Sequence, residues 1–466
     1  MGGLSCAYDS SDGTFVTCNC HIMMNKRFIA RVRPPFDPSA FAGWAKYGQT
    51  SSCVEERFQK VYGGCTFLFG SAREGLDVVL QACGIQRGEL IALADYNCSC
   101  LLTPIRHNDA DVVFLDVHND FSYDKDQLSQ IIREQRIKVL ILTHFFGKSC
   151  WNDDIRQIAK EAQKRGIFVI EDCAHSLFDH EQPDIGTLGD AAIFSFGNDK
   201  PLSIGKAGVV VVHDSGLHEH IGMLYEGLPL RAHVDERLLF AWYVVYSLYA
   251  QPDLCFPGLS CEASPVPILQ ENTFTNFLDA LSSGGAISDL KRYPFFRELC
   301  RIARSQRRTF WNRAVGRMKR LLGTRRLGEK TLNADVPEKM NVTSRSLLSA
   351  YLDSGIIDEV NAKRALTLHS ILLALNVQEQ VGSRLRFTWI SDTPEQALRT
   401  IHAANVRGIE AGCFNWKPLL SAVLRRRRTM PQWAIIPERV INFPLHEGIG
   451  ESEIRDIRDA ILEGMR

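Results

Sequence analysis

The chain of 466 residues has no surplus of either charge: 54 Lys and Arg stand against 54 Asp and Glu. That balance removes the broad electrostatic footprint by which nucleic-acid binders hold phosphate backbones, so no nucleic-acid partner is expected. No apolar run reaches the ~20 residues that a membrane-spanning helix needs. The N-terminus lacks a basic segment followed by an apolar core, so no secretory signal is read there. Cys18-Asn19-Cys20-His21 has no second ligand pair at metal spacing to complete it, and no metal is expected. No internal repeat is visible. The 14 cysteines are irregularly spaced and fall in apolar segments (Cys65, Cys83, Cys173) as often as in loops. A disulfide scaffold would space them otherwise; they are expected to be mostly reduced and buried, in a cytoplasmic protein.

What is present is an ordinary globular composition, 45% apolar and 23% charged, with length for one large domain and one or two smaller ones. Residues 1 to about 60 are irregular. Then short apolar runs alternate with helical patterns: Leu90–Ala94, Val112–Val117, Val139–Phe145, Ile167–Ile170, Ala191–Phe196 and Gly208–Val212 as strands, with Tyr123–Gln135 and Asp153–Arg165 the clearest helices. Such alternation argues for an α/β fold with a mainly parallel sheet covered on both faces, where ligands collect at the carboxyl ends of the strands. After about residue 215 the pattern breaks. Leu238–Ala250 is almost wholly apolar, and 292–326 is dense in Arg with aromatic residues interleaved. Asn341–Leu375 then predicts a helix pair. Arg384–Ile390, Gly408–Ala411 and Arg439–Phe443 predict strands of a small C-terminal domain, and Glu451–Met465 a closing amphipathic helix.

Three strand-end features carry chemistry. Lys200 follows the strand that ends in Phe194-Ser195-Phe196, and Asp172 and His175 follow the strand before it, in Glu171-Asp172-Cys173-Ala174-His175. A lysine, a carboxylate and a small hydroxyl so placed suit pyridoxal 5'-phosphate (PLP). The amine forms a Schiff base with the aldehyde and later moves protons, the carboxylate keeps the pyridine nitrogen protonated, and the hydroxyl of Ser195 bonds the phosphate. Lys206 rivals Lys200 for the amine. Phe69-Gly70-Ser71-Ala72-Arg73 turns into a helix ahead of the first expected sheet strand, and the N–H groups of a helix start favour an anion.

These motifs resemble the DegT/DnrJ/StrS family of PLP-dependent aminotransferases of fold type I, many acting on nucleotide-linked keto-sugars. Ser195-Phe196 with Lys200, and Glu171-Asp172 with Ala174-His175, are the two specific motifs; Thr143-His144-Phe145-Phe146-Gly147, Arg384-Leu385-Arg386-Phe387 and Phe443-Pro444-Leu445-His446 match further along. The resemblance covers about 60–215 and 340–466. It implies a large domain with a mainly parallel, seven-stranded type of sheet and a small C-terminal α+β domain. The division read on this basis is an N-terminal segment 1–60, a PLP-binding domain 61–235, a helical Arg-rich insertion 236–338, and linking helices with the small domain 339–466. By the same resemblance Lys200 is the Schiff-base lysine, Asp172 the pyridinium partner, His175 a contact of the ring oxygen, and Ser195, Ser71 and Ala72 phosphate contacts.

The chain departs from the family at three places. Cys98 stands where an aromatic residue normally stacks on the ring, with Tyr96 as a substitute. Arg73 and Glu74 open a helix that the family begins with apolar residues. Gly205-Lys206-Ala207-Gly208 replaces Gly-Glu-Gly-Gly. The expected activity is transfer of an amino group from an amino acid, by family habit glutamate, to a keto-sugar in a homodimer. The altered Cys98 and Lys206 keep open a PLP-dependent lyase or carbon–carbon bond-forming enzyme, and a non-catalytic PLP-binding regulator is the third reading. The block 238–326 suits either a peripheral membrane contact or a packed insertion, and Arg425–Arg428 either a solvated run or a diphosphate clamp.

Overall fold

In the computed structural model residues 29, 53–134, 136–197, 200–231, 337–379, 381–413, 419, 437–446 and 448–466 are described. The Cys18–His21 group, the Arg425–Arg428 run and all but residues 337 and 338 of the expected insertion lie outside these residues.

The main body is a seven-stranded sheet flanked by helices. In chain order come α1 (Val54–Tyr62), β1 (Cys65–Phe69), α2 (Ala72–Ala82), β2 (Leu90–Ala94), α3 (Leu102–His107), β3 (Asp111–Leu115) and α4 (Lys125–Glu134). They are followed by β4 (Ile137–Thr143), α5 (Asp153–Lys164), β5 (Phe168–Asp172), β6 (Ala191–Ser195), β7 (Gly208–Val212) and α6 (Ser215–Glu226). The spatial order is β1-β7-β6-β5-β4-β2-β3. Strands β3, β2, β4, β5 and β6 run parallel, and β7 and β1 close the edge antiparallel. The sequence expectation of a mainly parallel α/β sheet holds.

Continuous apolar runs form the central strands because both faces are covered. Along β4, Val139 and Ile141 enter one core and Leu140 and Leu142 the other; along β7, Val210 and Val212 alternate with Val209 and Val211 in the same way. Burying each such side chain contributes about 1.5–3 kcal/mol. Helix α5 shows the matching helical logic. Asn152 caps it by accepting the Ile155 N–H at 2.9 Å, and Ile155, Ala159 and Ala162 form its buried stripe. Helix α2 comes so close to β7 that a Cβ on Gly75 would stand 2.7 Å from Val210 Cγ2.

A second, three-stranded antiparallel sheet, β8-β10-β9, belongs to the C-terminal part. Its elements are α7 (Val342–Asp353), α8 (Ile356–Ala374), β8 (Phe387–Ile390), α9 (Pro394–Val406), β9 (Gly412–Cys413), β10 (Val440–Phe443) and α10 (Glu451–Gly464). Its own core gathers Phe387, Ile441, Phe443, Ile457 and Ile461.

Three sequence expectations need correction. The Gly70-Ser71 turn does not precede the first strand; it follows β1, an edge strand whose first residues are exposed or half-buried and so show no apolar run. The strand expected at Gly408–Ala411 forms at Gly412–Cys413, while Ile409 makes an isolated bridge to Ile29. Of the seven cysteines whose side chains are described, all unpaired, Cys83, Cys150 and Cys173 are buried, but Cys65 is exposed and Cys53, Cys98 and Cys100 are half-buried.

Candidate active site

Strand register alone brings the phosphate-type residues together. Gly208, first in β7, lies between Phe69 at the end of β1 and Ser195 at the end of β6. Because β1 and β7 are antiparallel to their neighbours, the turn leaving β1 opens on the same edge as the carboxyl end of β6. Residue 208 must be glycine for this: a Cβ there would overlap the backbone of Ser71 and Ala72. The start of α2 is thereby pressed against the end of the sheet beside Ser195. Ser71 caps α2 by accepting the Glu74 N–H at 3.3 Å, which leaves its hydroxyl hydrogen unused by the cap. Arg73 is exposed on the outer side.

Lys200 returns toward this edge. Its N–H donates to the Gly197 carbonyl at 3.2 Å. A Cβ on Gly197 would meet Lys200 Cγ at 3.7 Å and Ser195 Oγ at 3.8 Å, so the lysine stem and the serine hydroxyl flank one open position. The Lys200 charge is felt at Asp172, Cys98 and Cys100, which sets its ammonium among the ends of β2, β5 and β6. Lys206, the rival lysine, instead points to Glu74, Nζ to Oε1 3.4 Å.

Asp172 ends β5, next to Thr143 at the end of β4. Its Oδ1 accepts the Ala174 N–H at 3.1 Å and its Oδ2 the Thr143 hydroxyl at 3.5 Å. Thr143 Oγ1 accepts in turn from Asn97 Nδ2 at 2.8 Å, and Asn97 Oδ1 takes the Cys98 N–H at 2.8 Å. A polar chain thus runs from the turn after β2 to the carboxylate. Burial raises the Asp172 carboxyl above its ordinary value, and the Ala174 amide and the Lys200 charge offset this only in part. Asp172 is half-buried, and a carboxylate partly withdrawn from water favours a cationic N–H partner.

His175 accepts the Phe146 N–H at Nδ1, 3.2 Å, so its ring proton is on Nε2. The Phe146 ring stacks on it, centroids 5.6 Å apart and planes 9° off parallel. Phe146 reaches this position with φ 54°, a left-handed backbone that a bulky residue adopts at a cost of about 1–3 kcal/mol. Its carbonyl accepts the Leu385 N–H at 2.8 Å, which ties the turn to the C-terminal part. Tyr96 lies buried against Phe121 and Phe145, ring centroids 6.2 and 6.0 Å away, within the core cluster on that face of the sheet. Cys98 lies half-buried at the rim.

Glu171 was quoted in a motif but given no role from sequence. It is fully buried and accepts five donors: His144 Nε2, Trp151 Nε1 and Gly186 N on Oε2, and Leu188 N and Gly189 N on Oε1, all at 2.7–2.9 Å. His144 Nδ1 takes the Cys150 N–H at 3.1 Å, which fixes the tautomer that donates to Glu171. His144, Glu171 and Cys173 are close enough to suggest a metal cluster, but the carboxylate's lone pairs are already taken. Glu171 is a structural hub for the loop between β5 and β6.

The two charged departures near α2 also find each other. Glu74 accepts from Lys206 and, at 2.7 Å, from the buried Arg231, which also pairs with Glu338 at 3.0 Å. These partners are 132 and 157 residues from Glu74, so no local pattern could link them.

Residues 35–231 match the model of the DegT/DnrJ/EryC1/StrS aminotransferase family. The resemblance read from the motifs is thus shown over that segment. The spore coat polysaccharide biosynthesis protein SpsC of Bacillus subtilis is 31% identical over 186 residues, 39% of this chain and 47% of that protein. GDP-perosamine synthase of Escherichia coli O157:H7 is 30% identical over 163 residues, 34% of this chain and 43% of that protein. The chain spans about half the length of the curated relatives it matches. Among solved structures, Helicobacter pylori PseC, an aminotransferase of pseudoaminic acid biosynthesis, superposes with TM-score 0.60 at 14% identity over 94% of this chain and 99% of its own. Spr1654 of Streptococcus pneumoniae, in its PLP form, gives 0.58 at 15% over 94% and 98%. At that identity the fold is what is shared, and it is the fold type I α/β architecture expected from the sequence.

Proposed function

We propose that the chain is a PLP-dependent aminotransferase that moves an amino group from an amino acid, by family habit glutamate, to a keto-sugar carried on a nucleotide. One observation carries the reading. The register of β1, β7 and β6 sets Ser71, Ala72 and Ser195 around Gly208, one strand away from the half-buried carboxylate of Asp172, whose acidity the Lys200 charge also influences. The residues fit the cofactor at each end: an N–H and hydroxyl cradle for a phosphate, and an acid suited to a cationic ring nitrogen. When bound, the cofactor supplies the electron sink that stabilises the carbanion left by loss of the substrate proton.

This chain's own residues do the rest. Lys200 would hold the cofactor through its aldehyde, and its free amine would serve as the general acid and base at the substrate carbon. Asp172 keeps the ring nitrogen protonated, and Thr143 and Asn97 hold that carboxylate in place. His175, with its proton on Nε2, suits an oxygen acceptor at the ring. Ser71, Ala72 and Ser195 bind phosphate. The Lys206 departure is answered by Glu74 and so gives no support to lyase chemistry. The active form is a homodimer in this reading, checked by light scattering.

The test is reduction with borohydride after reconstitution with PLP. A pyridoxyl label should fix on the peptide holding Lys200, and Lys200→Ala should lose it together with a factor on the order of 10² to 10⁴ in transamination rate. A label on Lys206, or none, would reject the assignment. Glutamate should then bleach the bound cofactor's visible band in the unreduced enzyme.

A further inference from the structure

The turn after β2 carries two thiols that the proposed transamination does not use. Cys98 precedes a one-turn 3₁₀ helix, Ser99–Leu101, and accepts the Cys100 N–H at its Sγ, 3.5 Å. The Cys100 side chain is also the largest influence on the Cys98 thiol, and both are half-buried rather than sealed in the core. Lys200 and Asp172 are the charged groups that face them. The other cysteines with described side chains do not come in such a pair: Cys83, Cys150 and Cys173 are buried, Cys65 is exposed, and half-buried Cys53 donates to Glu55.

We propose that Cys98 and Cys100 form a redox-active dithiol at the rim of the site, oxidised by hydroperoxides to an intramolecular disulfide. The electrostatics support the order of events. The hydrogen bond from Cys100, with help from the Lys200 charge, lowers Cys98 to about 7, against the opposing effect of burial. Cys100 is raised by the same hydrogen bond and stays a protonated thiol. Cys98 is thus the attacking thiolate and Cys100 the resolving thiol. In the first step the Cys98 sulfur bonds one peroxide oxygen, the O–O bond breaks, and the departing hydroxide takes a proton to become water. In the second, the Cys100 sulfur displaces the hydroxyl from the Cys98 sulfenic acid. The S–S bond forms, and the hydroxyl leaves as water with the Cys100 proton. Two electrons pass from the sulfur pair to the peroxide. This inference stands on the thiol pair alone, so it survives or fails separately from the transaminase reading.

Tryptic cleavage after Arg87 and Arg106 isolates a peptide, Gly88–Arg106, whose cysteines are Cys98 and Cys100 alone. The holoenzyme is treated with one equivalent of hydrogen peroxide, then with N-ethylmaleimide, and digested. The expected peptide is two hydrogens lighter, carries no maleimide, and becomes doubly alkylated after dithiothreitol. In Cys100→Ser the oxidation should stop at a Cys98 sulfenic acid that dimedone captures. Should Cys100→Ser fail to fold, the wild-type peptide still decides. A peptide that takes up two maleimides after peroxide, or that proceeds to a Cys98 sulfinic acid with Cys100 free, overturns the proposal.

Discussion

Glu171 and Asp172 are consecutive carboxylates on β5, and strand alternation turns them into opposite surroundings. Around Glu171 five donors converge. Burial pushes its carboxyl up, yet the bonds from His144 and the loop amides outweigh that and hold it below its ordinary value. Asp172 has two hydrogen-bond donors within reach and a lysine charge nearby, and burial wins. The same residue chemistry therefore serves two ends. A carboxylate whose lone pairs are filled by its own chain is scaffold; one left under-supplied and half-exposed at the strand end is poised for a cation from outside.

The sharpest way to break this contrast is to make both amides. Glu171→Gln turns an acceptor oxygen into a donor facing N–H groups and should cost about 3–5 kcal/mol of stability, read by urea denaturation. Asp172→Asn should change stability by less than about 1 kcal/mol while abolishing cofactor-dependent turnover. Equal stability losses in the two variants would dissolve the distinction. Next in size, His175→Phe keeps a ring against Phe146 but removes the acceptor of its N–H, and should cost about 1–3 kcal/mol in the same assay. Smaller again is the Glu74–Lys206 pair, where Lys206 is part-exposed. A double-mutant cycle with Glu74→Gln and Lys206→Gln should give a coupling of about 1 kcal/mol.

The smallest effect is a pH slope. The folded-state value of Asp172 lies above the ordinary 3.8, so in that window the folded chain holds a proton the unfolded chain has released. Stability from this group is then lost as pH rises from about 4 through the folded value. The stability of the wild type relative to Asp172→Asn should fall over that range and then level off; a rise with pH would reverse the assigned direction.

Much of this was legible in the sequence because the central strands are buried on both sides and announce themselves as apolar runs with functional residues at their ends. Asp172 and Ser195 end such runs, and Lys200 follows one closely. The edge strand β1 was missed because Cys65, Thr66 and Phe67 are not fully buried. Glu171's role was hidden because its donors come from residues 144, 151, 186, 188 and 189, scattered in the chain and joined only by the fold. Thr143 and Asn97 carried a weaker sign that went unused: small polar residues at strand ends beside the acid they support. The altered helix start and the altered turn before β7 looked like separate oddities until the structure paired Glu74 with Lys206.

The join at Arg231 and Glu338 has a consequence for how the sheet edge is held. Leu230 and Lys339 bridge side by side, Arg231 N–H donates to the Lys339 carbonyl at 3.2 Å, and the Arg231 guanidinium meets Glu338 at 3.0 Å. Departure and return of the intervening residues 232–336 are stitched at one spot on the outer edge of the sheet. Loop-closure entropy grows only slowly with length, so a neck closed at these residues fixes the start of α2 and the end of β1 against each other at little dependence on how much chain lies between Arg231 and Glu338. Arg231→Gln, which unpairs Glu74 and Glu338 at this neck, should lower the urea midpoint.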